Sequence, residues 1–502
     1  MSKKTRQTVT ILLLCVLLIG AGIGYYALIR YQASQQKKEQ AEEESISLYQ
    51  MDSSKISKLS FENKKTKLSL VKEKNVWKVE NDLDFPLNQN KISTMVDSVA
   101  KVSADKLVRK PCENLEEYRL NAPDLTVEVE DSEGNQQTLA FGMESVSGGG
   151  RYGYCGDSSK VYLFSTSIYS SFDYTVNQLM RTADIPTVTA DYVTGLKVQA
   201  KKGRNFEVVY DEKNSPYKNI YSWAINQPYS QPVAADVDQL QTLFESYGSL
   251  NFSEGISYHA KPEELKKYGL TQPEYQITLD YFEVEGESEE TASKEDTESS
   301  TDNKKQKKIP KKLQLTIGKQ NKDKTGYYVQ LAGDKGIYLM ETGTIESLVN
   351  ITPLDYVYQR LYAGYIADVD SMDLQYRGKS YHMTIEQEKK DSESDSDTED
   401  VSYTIKIDGR KVDSESFQNA FTDISNLAPN GEIDSKVTPE SDKAVARFTF
   451  HQKKKDVDME IYPYDGSNFY RVRVDGIMQF VVDIRTVDEI LNEFMVLTEA
   501  KK

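Results

Sequence analysis

The side chains of this 502-residue chain that could carry acid–base, nucleophilic or metal chemistry are few and scattered. Its three histidines, His259, His382 and His451, stand far apart, one beside a turn and two inside strand-like runs. Such residues are expected as surface or hydrogen-bonded groups, because a general base needs a partner held within hydrogen-bond reach. The cysteines are Cys15, Cys112 and Cys155. Cys15 lies in an apolar N-terminal run. Cys112 and Cys155 are either unpaired thiols or, in an oxidising compartment, a disulfide; spacing does not choose between the two. No Cys-x-x-Cys or Cys/His cluster supplies zinc ligands. Neither a His-Glu-x-x-His pair nor a Gly-x-Ser-x-Gly elbow occurs. "SGGGRYGYCG", Ser147 to Gly156, is glycine-rich but leads into a strand, whereas a phosphate cradle needs a helix N-terminus. A hairpin is expected there. The acidic run "DSESDSDTED" lacks the Gly and terminal Glu of a twelve-residue calcium loop. No catalytic, cofactor-binding or metal-ligating residue is assigned, and the chain is not expected to be an enzyme.

The elements that must position these residues are bounded by composition. The length suggests two to four domains. A net charge of -17 argues against nucleic acid, and against anionic lipid headgroups, as a partner. With 38% hydrophobic residues the chain can build cores, and 33 Tyr against 2 Trp point to a β-rich fold. At the N-terminus, residues 9–29 hold no charge and include twelve Ile, Leu or Val. A helix of that length spans roughly 30 Å, the hydrocarbon thickness of a bilayer. Tyr25, Tyr26 and Tyr31 fall where an interfacial belt would lie, and Lys3, Lys4 and Arg6 precede the span. The positive-inside rule then places residues 1–8 in the cytoplasm and the bulk of the chain outside. The run is longer than a signal-peptide core and lacks a small-residue cleavage site. An uncleaved single-pass anchor is expected, followed by a linker over residues 30–54.

Beyond the linker the chain repeats itself. "LEEYRLNAPDLTVEVE" (residues 115–130) returns as "LKKYGLTQPEYQITLDY" (residues 265–281). Around each copy the same order recurs: alternating runs leading to a Trp strand, an amphipathic helix, this turn, four strands and a closing helix. Trp77 and Trp223 hold equivalent places, expected as core packing. Ile92, Met95, Val96, Val99 and Val102 mark one helix face, and Val237, Leu240, Leu243 and Phe244 another. A third, divergent copy keeps the order, with Tyr403 expected in the Trp position and a helix over residues 414–427, but lacks the Tyr-x-Leu-x-x-Pro turn. The expected closing helices are residues 166–180, 342–361 and 486–497. The expected fold is α+β: three tandem units of antiparallel meanders with packed helices, at residues 55–184, 185–363 and 364–502. Loop insertions at 283–312 and 388–400 read as hairpin tips grown into solvated acidic runs.

In the turn itself, Pro123 and Pro273 hold the residue before them extended. Tyr118, Leu120, Tyr268 and Leu270 are expected to anchor it on the core, with Gly269 supplying a positive φ. The turn therefore reads as a packed corner.

Taken in order, "WKVEN" and "WAIN", "YRLNAP" and "YGLTQP", "LAFG" and "LTIG", and "RYGYCGDSSKVYLFS" with "GYYVQLAGDKGIYLME" resemble the DUF4340 family of bacterial membrane-anchored proteins. The likeness covers about residues 55–362 well and the third copy loosely; Arg119 stands where the family usually has Gly. The family brings no catalytic residues. The resemblance implies an accessory role at the envelope beside ABC-transporter components of the gliding-motility type. The expectation is a non-catalytic extracytoplasmic scaffold without cofactor, partnered by ABC-transporter-like subunits. The alternative is a module that binds cell-wall polymer or polysaccharide through exposed tyrosines.

Overall fold

The computed structural model describes residues 45–146, 148–211, 222–285, 307–389, 401–453, 455–466 and 468–499. The expected tail, membrane helix and linker up to residue 44 lie outside the described residues, with Cys15. So do most of the two acidic insertions, 286–306 and 390–400. Among the described residues no helix is long and apolar enough to cross a membrane. These residues form four antiparallel sheets and seven α-helices. The chain divides into two compact units: one holds residues up to Ala183 together with Ser253–His259, the other Asp184–Phe252 together with Ala260 onward.

In unit one, alternation in "ISKLSFEN" sends Leu59 and Phe61 inward while Lys58 and Glu62 face out. The main sheet runs in the order Val76–Val79, Lys67–Glu73, Ile56–Asn63, Leu125–Asp131, Gln136–Glu144, Arg151–Cys155, Val161–Phe164, Lys106–Arg109. Helix Gln89–Ala100 covers one face with Ile92, Met95, Val96 and Val99, and the Asn88 side chain caps it by accepting from Lys91 N. Val102 is buried as expected but lies past the helix, in a strand Lys101–Ala104. That strand pairs with Ile46–Gln50. The linker expected over residues 30–54 is therefore ordered at its end, because Val102 and Ala104 alternate inward like strand residues and Ile46–Gln50 supplies their ladder.

Unit two holds two large sheets. Within unit two, the strands of the first run in the order Val233–Ala234, Trp223–Gln227, Phe206–Tyr210, Val193–Ala200, Tyr275–Val284, Lys308–Gln320, Gly326–Leu331, Ile337–Glu341. The next runs Arg410–Lys411, Val401–Ile407, Lys379–Lys389, Val369–Tyr376, Ala446–Gln452, Val457–Pro463, Phe469–Val474, Ile477–Asp483, Gly431–Glu432. We call these the second and third sheets, after that of unit one. Lys308–Lys312, expected as insertion, extends the ladder, with Lys308 opposite Val284.

Registers match across the three. Leu59 pairs with Val129, Leu196 with Leu279 and Met372 with Phe450, and each central pair is preceded by a bulge, at Ile56/Lys58, Val193/Gly195 and Val369/Ser371. The same registers correct one expectation. Leu70 pairs with Val79, Val208 with Ile225 and Met383 with Ile407, so the third-sheet counterpart of Trp77 and Trp223 is Ile405, not Tyr403. A shift of two residues keeps the same face, so the alternation pattern cannot detect it.

Two closing helices are shorter than expected. The first is Thr166–Ser171, followed by a 3-10 turn at Asn177–Leu179; Ser170 and Ser171 hydroxyls donate back to Thr166 O and Ser167 O. The second, Thr342–Val349, gives way to a 3-10 turn that starts at Pro353, which has no N–H to continue the helix. The last, Ile484–Glu499, is the longest and buries Val487, Ile490, Leu491, Phe494 and Leu497.

Candidate functional site

The twice-written corner is a backbone lock. In unit one, Tyr118 ends a 3-10 helix Leu115–Tyr118, Arg119 takes φ +54°, and Leu120 N donates to Leu115 O at 2.9 Å. In unit two, Tyr268 caps helix Pro262–Lys267, Gly269 takes φ +82°, and Leu270 N donates to Leu265 O at 2.8 Å. Arg119 thus reaches the left-handed conformation that Gly269 adopts in the second corner, at the steric cost a side chain carries there. Leu120 and Leu270 are buried.

Each tyrosine carbonyl then lies against a glycine of the neighbouring strand. A Cβ on Gly142 would sit 2.0 Å from Tyr118 O, and one on Gly318 would sit 2.2 Å from Tyr268 O. Lys319 N donates to Tyr268 O at 2.9 Å. Just after Pro123 and Pro273, Asp124 N and Glu274 N rejoin the ladder by donating to Phe141 O and Ile317 O, both at 2.8 Å. The tyrosine rings pack on Tyr152 and Tyr328, with centroids 5.0 and 4.2 Å apart. The glycines of "LAFG" and "LTIG" are the half of this lock that sequence reasoning saw as a motif without its mate.

Trp77 is buried, and Gln89 holds its backbone from both sides: Trp77 N donates to Gln89 Oε1, and Gln89 Nε2 donates to Trp77 O, each at 2.9 Å. Trp223 is only half-buried, lying 5.1 Å from Phe244 of helix Val237–Glu245 and 5.5 Å from the exposed Tyr210. The two tryptophans share a register, but only the first is fully in the core.

The structure brings two of the histidines together. His382 sits directly opposite Asp373 in the ladder, and its Nδ1 is 2.7 Å from Asp373 Oδ1. His451 Nε2 is 2.9 Å from Asp373 Oδ2, and its Nδ1 is 2.9 Å from Asp456 Oδ2. The bond to Asp373 raises the His451 pKa above its ordinary value, with burial opposing and Asp456 adding to the rise. Burial pushes the Asp373 carboxyl up, but the bonds from His451 and His382 outweigh it and hold it low. Asp373 was missed because only strand register aligns it with both imidazoles. His259 stands apart, with its ring 4.8 Å from that of Tyr258. Among the described residues no group of three His, Cys, Asp or Glu is arranged to hold a metal ion. Cys112 and Cys155 are free, half-buried thiols, and burial pushes that of Cys155 up to about 11.

The loop after the Trp strand makes contacts to other elements in both units. In unit one, Asp82 accepts from Tyr258 Oη at 3.0 Å, and the Phe85 and Tyr258 rings meet edge to face at 5.7 Å. In unit two, residues Gln227–Pro232 lie on the third sheet. Ser230 N donates to Gln479 Oε1 at 3.1 Å, Gln479 Nε2 donates to Gln231 O at 2.8 Å, and the buried Tyr229 packs edge to face on Phe480 at 5.4 Å. Beside them Arg204 grips Glu432 through its two terminal guanidinium nitrogens. The signal for this junction was the Pro-Tyr-Ser-Gln-Pro loop, which reads as an ordinary turn until its neighbour is known.

A family model described as "Domain of unknown function (DUF4340)" matches residues 77–219 and 223–448. No curated protein and no solved structure matches the chain.

Proposed function

We propose, from the premise that this chain belongs to the DUF4340 family, that it is a membrane-anchored, non-catalytic scaffold whose β-rich modules bind partner proteins outside the cytoplasm. The observation that carries this reading is the junction of unit two. There a loop, an ion pair and an aromatic contact join one sheet to the next. Interface chemistry of this kind, an aromatic anchor beside an Arg–carboxylate pair with polar groups at the rim, is how protein surfaces recognise one another.

On this reading the three large sheets are three copies of one unit, supported by their matching strand order and central register. Residues 9–29 form the anchor, and the partners are subunits of an ABC-type export system. Crosslinking in intact membranes followed by purification tests this: transporter subunits should co-purify with the chain, and recovery of the bait alone sinks the proposal.

One observation favours a second reading. Tyr210 is 45% exposed beside the half-buried Trp223, an aromatic pair of the kind that stacks on sugar rings. Co-sedimentation of the protein with purified cell wall, lost in Tyr210→Ala, would support a polymer-binding role.

A further inference from the structure

Unit two contains one filled sheet-to-sheet junction and an open counterpart of it. In the second sheet, Val233 and Ala234 pair with Ile225 and Ala224, and Tyr358 N donates to Ala234 O at 2.9 Å. The surface they form is covered by Val472, Val474, Ile477 and Phe480 of the third sheet, leaving a gap of only about 30 Å³. Register gives each member an equivalent one module further on. Arg410 pairs with Ile407 as Val233 pairs with Ile225, and Lys411 with Lys406 as Ala234 with Ala224. Asp413 caps the following helix, Ser414–Ser425, as Asp236 caps Val237–Glu245. In place of the Tyr358 contact, the Arg410 guanidinium donates to Leu497 O at 2.9 Å and Thr498 O at 2.6 Å. Here the space is a groove of about 580 Å³, walled by Lys411, Asp413, Glu493 and Val496. Val496 is 59% exposed although it lies on a helix whose other apolar residues are mostly buried.

We infer that this groove docks an edge of a β-sheet from a partner protein, one that carries a carboxylate next to an aromatic side chain; the inference rests on the scaffold reading above. The filled junction states the chemistry. Arg204, in the hairpin between the first two strands of the second sheet, is met by Glu432, and Glu432 pairs across the ladder with Phe480. The equivalent hairpin of the third sheet carries Arg377 between Tyr376 and Lys379, and the groove edge carries Arg410 and Lys411. The groove wall itself is balanced in charge, with Asp413 and Glu493 beside Arg410 and Lys411, so the acidic mate is asked for by the exposed Arg377, which holds the place of Arg204. A second copy of the chain does not supply it. The counterpart of the Glu432–Phe480 pair in the first sheet is Leu107 with Tyr162, and the strand that carries Leu107, Lys106–Arg109, holds two cations and no carboxylate. Self-docking would set cations against cations, which selects against it.

The test uses the full-length chain in its own membranes with p-benzoylphenylalanine placed at Val496 and, separately, at the exposed Tyr365. Irradiation of the first should give one discrete heterologous adduct, and the crosslinked partner peptide should be a strand or hairpin bearing Asp or Glu beside an aromatic residue. The double variant Arg377→Glu/Lys411→Glu should lower the adduct yield at least tenfold; both residues are exposed, and an unchanged circular-dichroism melt would confirm the fold is intact. An adduct with a second copy of the chain, a partner peptide without a carboxylate, or an adduct insensitive to charge reversal overturns the inference. An adduct at 365 with none at 496 overturns the groove alone and leaves the scaffold reading standing. Absence of adducts at both positions overturns the two together.

Discussion

At the scale of single residues, the corner depends on a missing side chain. Alanine at Gly318 would put its Cβ 2.2 Å from Tyr268 O, a backbone atom already fixed by Lys319 N. Relief requires moving the corner or the strand, so Gly318→Ala should destabilise the protein by about 1–3 kcal/mol, the usual range for forced overpacking. Gly343 has nothing within 4 Å of its would-be Cβ and lies in a helix. Gly343→Ala should therefore be neutral or stabilising by up to about 1 kcal/mol, and urea midpoints of the two variants check the contrast. The Asp373 cluster makes a second residue-scale prediction with a definite sign. His451 is raised above its ordinary 6.5, so its contribution is fully present below that pH and is lost as pH rises through the higher folded value. Asp373 is held below its ordinary 3.8, so its contribution is present above that pH and lost as pH falls through the lower folded value. The bonded pair therefore stabilises most between these limits, by under about 1 kcal/mol because its members are 32% and 39% exposed. In Asp373→Asn the His451 midpoint, followed by NMR of the imidazole protons, should move down; an unmoved midpoint would mean that Asp456 alone sets it.

At the scale of elements, alternation and helical spacing in the sequence were enough to place most strands and the helix face of Ile92, Met95, Val96 and Val99. What they could not place were features decided by partners. Val102 continues the helical spacing yet enters a strand, because Ile46–Gln50 offers it a ladder. Residues 166–180 were legible as apolar, not as a helix broken by serines that bond back to the chain. The register of the third sheet is the sharpest case. Tyr403 and Ile405 share a face, and only the pairing of Met383 with Ile407 shows which replaces tryptophan. Ile405 is fully buried whereas Tyr403 is half-buried. Ile405→Ala should therefore cost about 2–5 kcal/mol, as buried large-to-small changes do, and Tyr403→Ala clearly less. Equal losses in the two denaturation midpoints would return tyrosine to the tryptophan position.

At the scale of the whole molecule, the repeated sentence in the sequence revealed modules, and the candidate corner was legible from Tyr118, Leu120 and Pro123 onward. The docking chemistry was not. Arg204 and Glu432 lie 228 residues apart and Ser230 and Gln479 lie 249 apart, distances at which no local pattern carries information. Yet this junction decides whether the second and third sheets behave as one body. The aromatic contact is its buried centre: Tyr229 is 8% exposed and Phe480 is 6% exposed. The Arg204–Glu432 pair lies at the rim, where ion pairs contribute about 0–1 kcal/mol. Loss of the centre should matter more than loss of the rim, since anchors of this type dominate interfaces. Hydrogen exchange on the full-length chain separates these cases. In the parent protein, protection of Trp223–Gln227 and of Ile477–Asp483 should respond to denaturant in parallel, as parts of one cooperative opening. Tyr229→Ala should uncouple them, so that Ile477–Asp483 exchanges at lower denaturant while the central strands of the second sheet hold. Arg204→Glu should leave them coupled and shift both by a small, equal amount. If Tyr229→Ala also leaves the two segments moving together, the sheets are joined by more than this loop, and the junction is a seam within one core rather than a docking surface.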